Sequence, residues 1–427
     1  MRVSSLTLRY ALCAVMLAAL AACSSKEKEI DPPAELSDFP ATLRVQRAWS
    51  AGVGGDAEVL RLGLGLAVDD GRVFAAGRGG DVEAFQLDSG RLIWRARTKV
   101  PLAGGTGVGQ GLVVVGSSEG TVVALNANDG SERWRVQVNG EVLAAPAISP
   151  RAVIVRTVDG KLRGLSLQNG EELWLYEQQV PRLSLRGTAV PVIAGTAVIC
   201  GFDNGKVVAL NAANGDLLWE TTVAPARGRT ELERLVDIDS AVQVRDNYVY
   251  AVGFQGRAAM LAIDTGQVWW AQEASSYRGL AVDDQNVYVS TAAGDVVALS
   301  RETGTEVWRQ SALAHRGLSA PALADGSVVV ADFQGYVHWL DKRTGALAAR
   351  AQAGGHRVST PPVVADGRVL VINDEGQISA FQTTPIALAE AKPPQNAPAA
   401  DDAPAPSQTP QSAVESSDAA PAGGSNE

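Results

Sequence analysis

The sequence predicts an all-β protein, an eight-bladed β-propeller of four-stranded antiparallel blades that an N-terminal strand closes. Two observations carry this prediction. A repeat of about 40 residues fills the middle of the chain, and each unit contains short apolar runs separated by glycine turns. Runs rich in Val, Ile and Leu are typical of strands, and glycine readily adopts the positive φ of tight turns. About four strands in each unit match one propeller blade.

The first 22 residues have the composition of a secretory signal peptide. Arg2 and Arg9 make the start basic, and the stretch from Tyr10 to Ala22 is almost wholly apolar. This stretch is too short to span a bilayer core as a helix, which takes about 20 residues. It matches the apolar region of a signal peptide instead. We therefore expect residues 1–22 to be a signal peptide.

The apolar run ends in a sequence that resembles the lipobox of bacterial lipoproteins. The segment from Leu20 to Cys23 reads LAAC, and the resemblance implies that the Cys23 thiol is acylated and becomes the new N-terminus. Ser24 follows where an Asp would imply retention in the inner membrane, so the resemblance points to the outer membrane. We expect residues 23–40 to be a lipidated tether that anchors the protein there, facing the periplasm, with no cofactor besides this lipid.

The composition argues against several classes of function. The net charge is −10, whereas a surface that binds nucleic acid needs a basic face. Of the three cysteines, Cys13 lies in the predicted signal peptide and Cys23 in the lipobox. Cys200 lies in an apolar run, and we expect it to be a buried core residue rather than a nucleophile.

Glycines recur in pairs ten residues apart, and a tryptophan follows four residues after the second glycine of most pairs. The pairs are Gly80 and Gly90, Gly120 and Gly130, Gly160 and Gly170, Gly205 and Gly215, Gly256 and Gly266, Gly294 and Gly304, and Gly335 and Gly345. The tryptophans are Trp94, Trp134, Trp174, Trp219, Trp270 and Trp308, and Ala349 takes this place in the seventh unit. We expect the tryptophans to pack between neighbouring blades.

The eighth unit is incomplete at its C-terminal end. Strands are predicted around Val363, from Val369 to Ile372 and from Ile378 to Phe381, and then the pattern stops. The segment from Leu43 to Trp49 has the pattern of a strand but no glycine pair before it. We expect it to complete the last blade beside the C-terminal strands, which pairs both sheet edges and closes a propeller over residues 41–384.

The composition changes after Pro385. From Pro393 onwards the chain is rich in Pro, Ala and Ser, and it contains acidic but no aromatic or basic residues. Such a segment cannot bury an apolar core. We expect residues 385–427 to be a disordered acidic tail, and we assign it no role.

Two consecutive units are longer than the others. The first insertion, from Tyr176 to Gly187, contains Leu beside Arg, and the second, from Ala224 to Ala241, contains closely spaced carboxylates among Leu, Val and Ile. Equivalent loops on consecutive blades lie side by side on one face of a ring. Mixed apolar and charged groups in such loops predict a protein-binding patch. The alternative is that both insertions are merely tolerated.

The repeat also resembles that of quinoprotein dehydrogenases, which bind pyrroloquinoline quinone. Such enzymes need a catalytic carboxylate and a calcium site, and many have adjacent cysteines, whereas Cys200 has no cysteine neighbour in sequence. The segment from Gly116 to Gly120 fits the nucleophile motif G-x-S-x-G, but it joins two predicted strands and is predicted to be a hairpin turn. The segment from Gly104 to Gly107 precedes a strand, so it is not predicted to bind phosphate.

The lipobox, the eight units, the N-terminal strand and the two insertions together resemble the BamB family of lipoproteins. The most specific features are the strings RLSLRG at 182–187 and RLVDID at 234–239. The resemblance covers about residues 20–384. It implies a non-enzymatic scaffold of the outer-membrane β-barrel assembly complex that binds the periplasmic domains of the barrel-forming subunit BamA. It further implies help in delivering unfolded outer-membrane proteins.

By motif match, the resemblance implies five partner-binding residues. They are Leu183, Leu185 and Arg186 in the first insertion, and Asp237 and Asp239 in the second. We expect both leucines to be exposed. Side chains two residues apart in an extended segment point to the same side, so we expect both carboxylates to meet basic groups of the partner together. The resemblance implies no catalytic, cofactor-binding or metal-binding residue. A quinoprotein enzyme and a different periplasmic propeller scaffold are the alternatives.

Overall fold

The structure, a computed structural model, describes residues 32–54, 63–185 and 189–386. Within these ranges it contains 32 strands, which pair in eight four-stranded antiparallel sheets. This confirms the predicted all-β, eight-bladed propeller. Among the described residues, no helix has the length and apolar character needed to cross a membrane. The predicted signal peptide, Cys23 and the tail from residue 387 onwards lie outside the described residues and stay predictions.

The blades follow one another along the chain, except that the first strand of the chain belongs to the last blade. Blade 1 contains β2 (Ala67–Asp69), β3 (Arg72–Ala76), β4 (Asp81–Gln86) and β5 (Leu92–Arg97), and blade 2 contains β6 (Gly107–Gly109), β7 (Leu112–Gly116), β8 (Thr121–Asn126) and β9 (Glu132–Gln137). Blade 3 contains β10 (Ala147–Ile148), β11 (Val153–Thr157), β12 (Lys161–Leu165) and β13 (Glu172–Glu177), and blade 4 contains β14 (Val192–Ala194), β15 (Ala197–Gly201), β16 (Lys206–Asn211) and β17 (Leu217–Thr222).

Blades 5 to 8 continue the same order. Blade 5 contains β18 (Gln243–Arg245), β19 (Tyr248–Val252), β20 (Arg257–Ala262) and β21 (Val268–Glu273), and blade 6 contains β22 (Leu280–Val282), β23 (Asn286–Ser290), β24 (Val296–Ser300) and β25 (Glu306–Gln310). Blade 7 contains β26 (Ala322–Ala324), β27 (Ser327–Ala331), β28 (Tyr336–Asp341) and β29 (Leu347–Gln352). Blade 8 contains β30 (Val363–Ala365), β31 (Arg368–Ile372), β32 (Gln377–Pro385) and, as its outer strand, β1 (Leu43–Gly52).

The antiparallel strand order places the connections on two faces of the ring. Because neighbouring strands run in opposite directions, the turn between the second and third strands of a blade lies at the same end as the connection to the next blade. We call this end of the ring the loop face. The turns between first and second strands, and between third and fourth strands, lie on the opposite face.

The core of the ring lies between the blades. In blade 2, for example, the second and third strands are almost wholly buried, whereas the fourth strand alternates between more and less exposed residues. Between blades 1 and 2, Phe74 and Trp94 of one blade pack with Val113 and Val123 of the next. A sheet in the ring therefore buries both of its faces against its neighbours, which a single blade cannot do.

Tryptophans on the outer strands join every blade except blade 7 to the next blade, as predicted. Trp94 donates a hydrogen bond from Nε1 to the carbonyl oxygen of Ala127 in blade 2 at 3.0 Å. Gly130, in the same turn, has a φ of +73°, and a Cβ there would lie 2.5 Å from Cε3 of Trp94, so the turn requires glycine. The same kind of bond to the following blade is made by Trp49, Trp134, Trp174, Trp219, Trp270 and Trp308.

Blade 7 places its tryptophan on the other strand. In the other blades the tryptophan lies on the outer strand, opposite an Ala or Gly of the third strand in all but one case. In blade 7, Ala349 is on the outer strand and Trp339 is opposite it on the third. The next blade ends in β32 and is completed by β1, so no glycine turn joins these two strands. Trp339 packs edge-on against Phe381 instead, with ring centroids 5.8 Å apart.

Trp339→Ala is expected to destabilise the propeller by about 3–5 kcal/mol, because it removes a fully buried indole and leaves a cavity where the ring closes. Urea unfolding followed by circular dichroism measures this loss. Trp269→Ala is the matched control, since Trp269 is 63% exposed, and is expected to change stability by no more than about 0.5 kcal/mol. Equal effects of the two substitutions would contradict the role assigned to Trp339.

The N-terminal strand completes blade 8, as the sequence predicts. β1 pairs antiparallel with β32 along its whole length, from Leu43 opposite Pro385 to Gly52 opposite Gln377, with one irregularity after Arg47. The pairing thus extends one residue past the predicted boundary at 384. Both ends of the described propeller are held in the same sheet.

Three smaller predictions are also confirmed. Cys200 lies in β15 with no exposed surface, and burial raises the pKa of its thiol to about 11, so it is a core residue and not an activated nucleophile. Gly116 ends β7, and the residues up to Gly120 form the hairpin turn to β8. Gly107 begins β6, so the glycine-rich segment leads into a strand.

Candidate partner-binding site

The two insertions form consecutive connections on the loop face, as expected. Loop A (residues 178–191) joins blade 3 to blade 4, and loop B (residues 223–242) joins blade 4 to blade 5. They are longer than the connection before them, residues 138–146, and the connection after them, residues 274–279. All of loop A is described except residues 186–188.

The C-terminal half of loop B is built into the ring. The Ile238 N–H donates to the Phe202 carbonyl oxygen at 3.2 Å, and the Asp237 carbonyl oxygen accepts from the Phe254 N–H at 2.7 Å. These bonds hold the loop between the loop-face turns of blades 4 and 5. Leu235 and Ile238 are buried. The apolar residues of this half of the loop therefore belong to the core and do not contribute to the protein-binding patch that the composition of the loop predicts.

Asp237 joins loop B to loop A. Its Oδ2 accepts a hydrogen bond from the Leu185 N–H at 3.1 Å, and no part of Asp237 is exposed. The predicted position of this carboxylate on the surface, beside that of Asp239, is therefore wrong. Loop B turns into the gap between two blades, so the Asp237 carboxylate meets loop A instead of solvent. Asp239 is half-buried.

A buried ion pair lies near this contact. Arg156, on the second strand of blade 3, pairs through Nη2 with Oδ1 of Asp203, and both side chains are almost fully buried. Burial, together with the negative charges of Asp203 and Asp239, raises the pKa of Asp237 to about 8, although Arg156 and the Leu185 N–H act in the opposite direction. The fold therefore favours a neutral Asp237 carboxyl below that pH.

Asp237→Asn is expected to make stability less dependent on pH. Asp237 releases its proton near its ordinary pKa of 3.8 when unfolded, but only near 8 when folded, so the wild-type free energy of unfolding falls as the pH rises between these values. Asn keeps an acceptor for the Leu185 N–H and cannot ionise. The Tm of the variant minus the Tm of the wild type should therefore be larger at about pH 8 than at about pH 5.

Thermal melts of wild type and variant at both pH values measure this difference. Asp216→Asn, in an exposed turn of blade 4, is the control and should show no such change. If the Tm difference between Asp237→Asn and the wild type were the same at both pH values, this would contradict a neutral Asp237 carboxyl in the folded protein.

Loop A presents the exposed part of the site. Leu183 is 41% exposed, as the sequence predicts, whereas Leu185 is half-buried. Asp237 holds the backbone of Leu185, and it thereby restricts the conformation of the neighbouring loop residues. Arg182 is exposed, and Arg186 lies outside the described residues.

Loop B adds an exposed apolar residue that was not predicted. Glu233 Oε2 accepts hydrogen bonds from the Arg229 and Thr230 N–H groups at 2.7 and 3.2 Å, and the Glu233 N–H donates to Thr230 Oγ1 at 3.2 Å. Leu232 lies within this capped turn and is 66% exposed. The Thr-x-x-Glu spacing is the signature of a capping box, and it is the feature of the sequence that predicts such a turn.

Fold and site together define an eight-bladed propeller of the quinoprotein-like repeat class, whose distinctive surface is a pair of joined interblade loops. In the part of the chain that the structure describes, no group of three His, Cys, Asp or Glu residues is placed to hold a metal ion. The family model described as outer membrane protein assembly factor BamB matches residues 78–310 and 292–385. The chain belongs to this family, which confirms the resemblance.

Individual relatives agree with this assignment. The outer membrane protein assembly factor BamB of Pseudomonas aeruginosa is 45% identical over 274 residues, which are 64% of this chain and 72% of the relative. The protein of the same name from Kangiella koreensis is 40% identical over 270 residues, which are 63% of this chain and 69% of the relative.

Solved structures show the same relation. The crystal structure of BamB from Moraxella catarrhalis matches with a TM-score of 0.74 and 30% identity, over 79% of this chain and 100% of that one. The quinohemoprotein alcohol dehydrogenase of Comamonas testosteroni matches with a TM-score of 0.62 over 79% of this chain and 76% of that one, but at 13% identity. This second likeness shows the fold alone.

Proposed function

We propose that this chain is a lipid-anchored, non-enzymatic scaffold of the outer-membrane β-barrel assembly complex. It is held in the outer membrane through Cys23 and faces the periplasm. It binds the periplasmic domains of the barrel-forming subunit BamA, and it thereby aids the folding and insertion of outer-membrane proteins. Membership of a family whose proteins are named for this assembly supports the proposal.

The contact between Leu185 and Asp237 is the observation that supports the location of the binding site. It joins two long neighbouring loops into one surface. A preorganised surface loses less conformational entropy on binding than two separate loops do. Leu183 and Leu185 then supply apolar anchors and Arg186 a planar donor fork, while Asp237 acts by positioning loop A. Asp239 contributes negative charge beside it.

The proposal includes no cofactor besides the lipid. The quinohemoprotein dehydrogenases share the propeller at an identity too low to carry an activity over. Dye reduction by the purified protein in the presence of pyrroloquinoline quinone and calcium would contradict the non-enzymatic role.

Affinity purification from detergent-solubilised outer membranes tests the proposed function. We expect BamA to co-purify with the protein at a constant ratio. Recovery of a periplasmic enzyme without BamA would contradict the proposal and favour a different periplasmic scaffold.

Cys23→Ala is expected to leave uncleaved precursor or a mislocalised form, because several acyl chains on this residue provide the stable membrane attachment. Membrane fractionation with a high-salt wash measures the loss. Cys200→Ala is the matched control, since Cys200 is buried in the propeller and its substitution should leave the protein with the outer membrane. A Cys23→Ala protein that still fractionates with the outer membrane after the wash would show that another contact holds it there.

A further inference from the structure

The chain segment before β1 is attached to blade 7 along its length. We call residues 33–42 the strap. The Ala34 N–H donates to the Ala314 carbonyl oxygen and the Thr42 N–H to the Ala348 carbonyl oxygen, both at 2.9 Å. Between these bonds, Leu36 packs against the apolar core between blades 6 and 7. The last residues of the expected tether are therefore part of the propeller.

Two arginines of blade 7 and the connection before it bind the strap. Arg316 is almost fully buried, and it donates from Nη1 to the Ala34 carbonyl oxygen at 2.9 Å while its Nε donates to Asp332 at 2.8 Å. Arg350 donates from Nη2 to the Ser37 carbonyl oxygen at 3.2 Å, and its guanidinium lies 5.1 Å from the ring centroid of Phe39. Each of the two guanidinium groups has at least two partners, and these contacts fix its position. The strap is therefore bound at a preformed site.

A buried histidine completes this arrangement. His338 Nε2 lies 3.1 Å from Oδ2 of Asp332, the carboxylate that also accepts from Arg316. Burial lowers the pKa of His338, so its ring is neutral at physiological pH and adds no third positive charge beside the two arginines.

The strap begins on the loop face. Pro33 and Leu318 line one cavity of about 310 Å³ with residues of two other loop-face elements. These are Tyr277, in the connection from blade 5 to blade 6, and Thr291, in the turn between the second and third strands of blade 6. The described part of the chain therefore begins on the face that carries loops A and B.

We propose that the strap orients the propeller so that its loop face is the membrane-facing surface. The proposal rests on the membrane attachment at residue 23 that the proposed function includes. Ten residues from Cys23 to Pro33 reach at most about 35 Å when fully extended. To present the opposite face, these residues would first have to run past a blade whose six-residue strands are about 20 Å long, which leaves only about 15 Å of this reach to the membrane. A partner bound to loops A and B then lies on the membrane side of the propeller.

Energy transfer on vesicles tests this orientation. The chain from residue 24 onwards, with an N-terminal hexahistidine tag, is bound to vesicles that contain nickel-chelating and acceptor-labelled lipids. The tag replaces the lipid, so the result does not depend on whether Cys23 is acylated. A donor dye is attached at Glu231→Cys, on the loop face, or at Ala213→Cys, in a turn of blade 4 on the opposite face. Buried Cys200 is not labelled.

We expect more transfer from residue 231 than from residue 213. Combining Leu36→Ser with Phe39→Ser should abolish this difference. The Tm should fall, because Leu36 packs against the core, but the protein should stay folded, because β1 is intact. Arg350→Gln is a second strap variant, and Arg309→Gln, in the outer strand of blade 6, is its control and should keep the difference. Equal or reversed transfer in the wild type would overturn the proposal, and so would an unchanged difference in folded strap variants.

Discussion

Deletion of the segment from Leu43 to Trp49 is expected to unfold or aggregate the protein at temperatures at which the wild type is folded. The deletion leaves the edge of β32 unpaired over most of its length. It also removes Trp49, which packs with Phe85 of blade 1 and Leu370 of blade 8. Loss of a buried tryptophan alone costs about 3–5 kcal/mol, a large part of the roughly 5–15 kcal/mol that stabilises a typical domain.

Thermal unfolding followed by circular dichroism measures this effect. Trp49→Ala keeps the strand and should lower the Tm by less than the deletion does. Deletion of residues 393–427 is the control and should leave the Tm unchanged, because this segment has no apolar residues with which to build a core beyond Ala and one Val. An unchanged Tm after removal of the N-terminal segment would show that the ring closes in another way.

Leu183→Ala combined with Arg186→Ala is expected to abolish co-purification with BamA. Truncation of an interface anchor typically costs about 2 kcal/mol or more, which corresponds to about 30-fold in affinity. A complex weakened by two such losses should dissociate during the purification. Because Leu183 is exposed, its truncation should change the free energy of unfolding by no more than about 0.5 kcal/mol.

Leu218→Ala is the matched control for this pair. Leu218 is 52% exposed on the outer strand of blade 4, so the same substitution is made at a similar exposure but away from loops A and B. It should change neither binding nor Tm. If Leu183→Ala with Arg186→Ala lost folding as well as binding, these residues would be structural. Intact binding would place the interface elsewhere on the ring.

Asp237→Ala with Asp239→Ala is expected to weaken binding for a different reason. The sequence suggested that both carboxylates contact the partner directly. The structure places Asp237 in the interior, where it accepts from the Leu185 N–H. Its removal leaves a buried donor without this partner, which costs about 1–3 kcal/mol, so a lower Tm should accompany the weaker binding.

The number of blades and their docking could be predicted because both depend on local sequence. A tryptophan four residues after a turn glycine meets the corresponding turn of the next blade, and this spacing recurs along the chain. The tryptophan of blade 7 could not be predicted in this way. Trp339 moves to the third strand because the neighbouring blade is completed by the N-terminal strand and has no glycine turn at that place.

The site was predicted less well because its loops make tertiary contacts. The string RLVDID has the composition of an exposed loop, yet bonds to Phe202 and Phe254 draw it into the gap between two blades. Nothing in the spacing of Asp237 and Leu185, which are far apart in sequence, indicates their hydrogen bond. Leu232, by contrast, lies in a turn whose capping residues are visible in the sequence.

Site-specific photocrosslinking tests the central claim, that loops A and B rather than the outer strands of the ring bind BamA. A photoreactive amino acid is placed at residue 183 or, in a separate protein, at residue 218, two positions that carry leucines of similar exposure. After irradiation of cells, we expect a crosslink to BamA from residue 183 and none from residue 218. A crosslink from residue 218 without one from residue 183 would contradict the account.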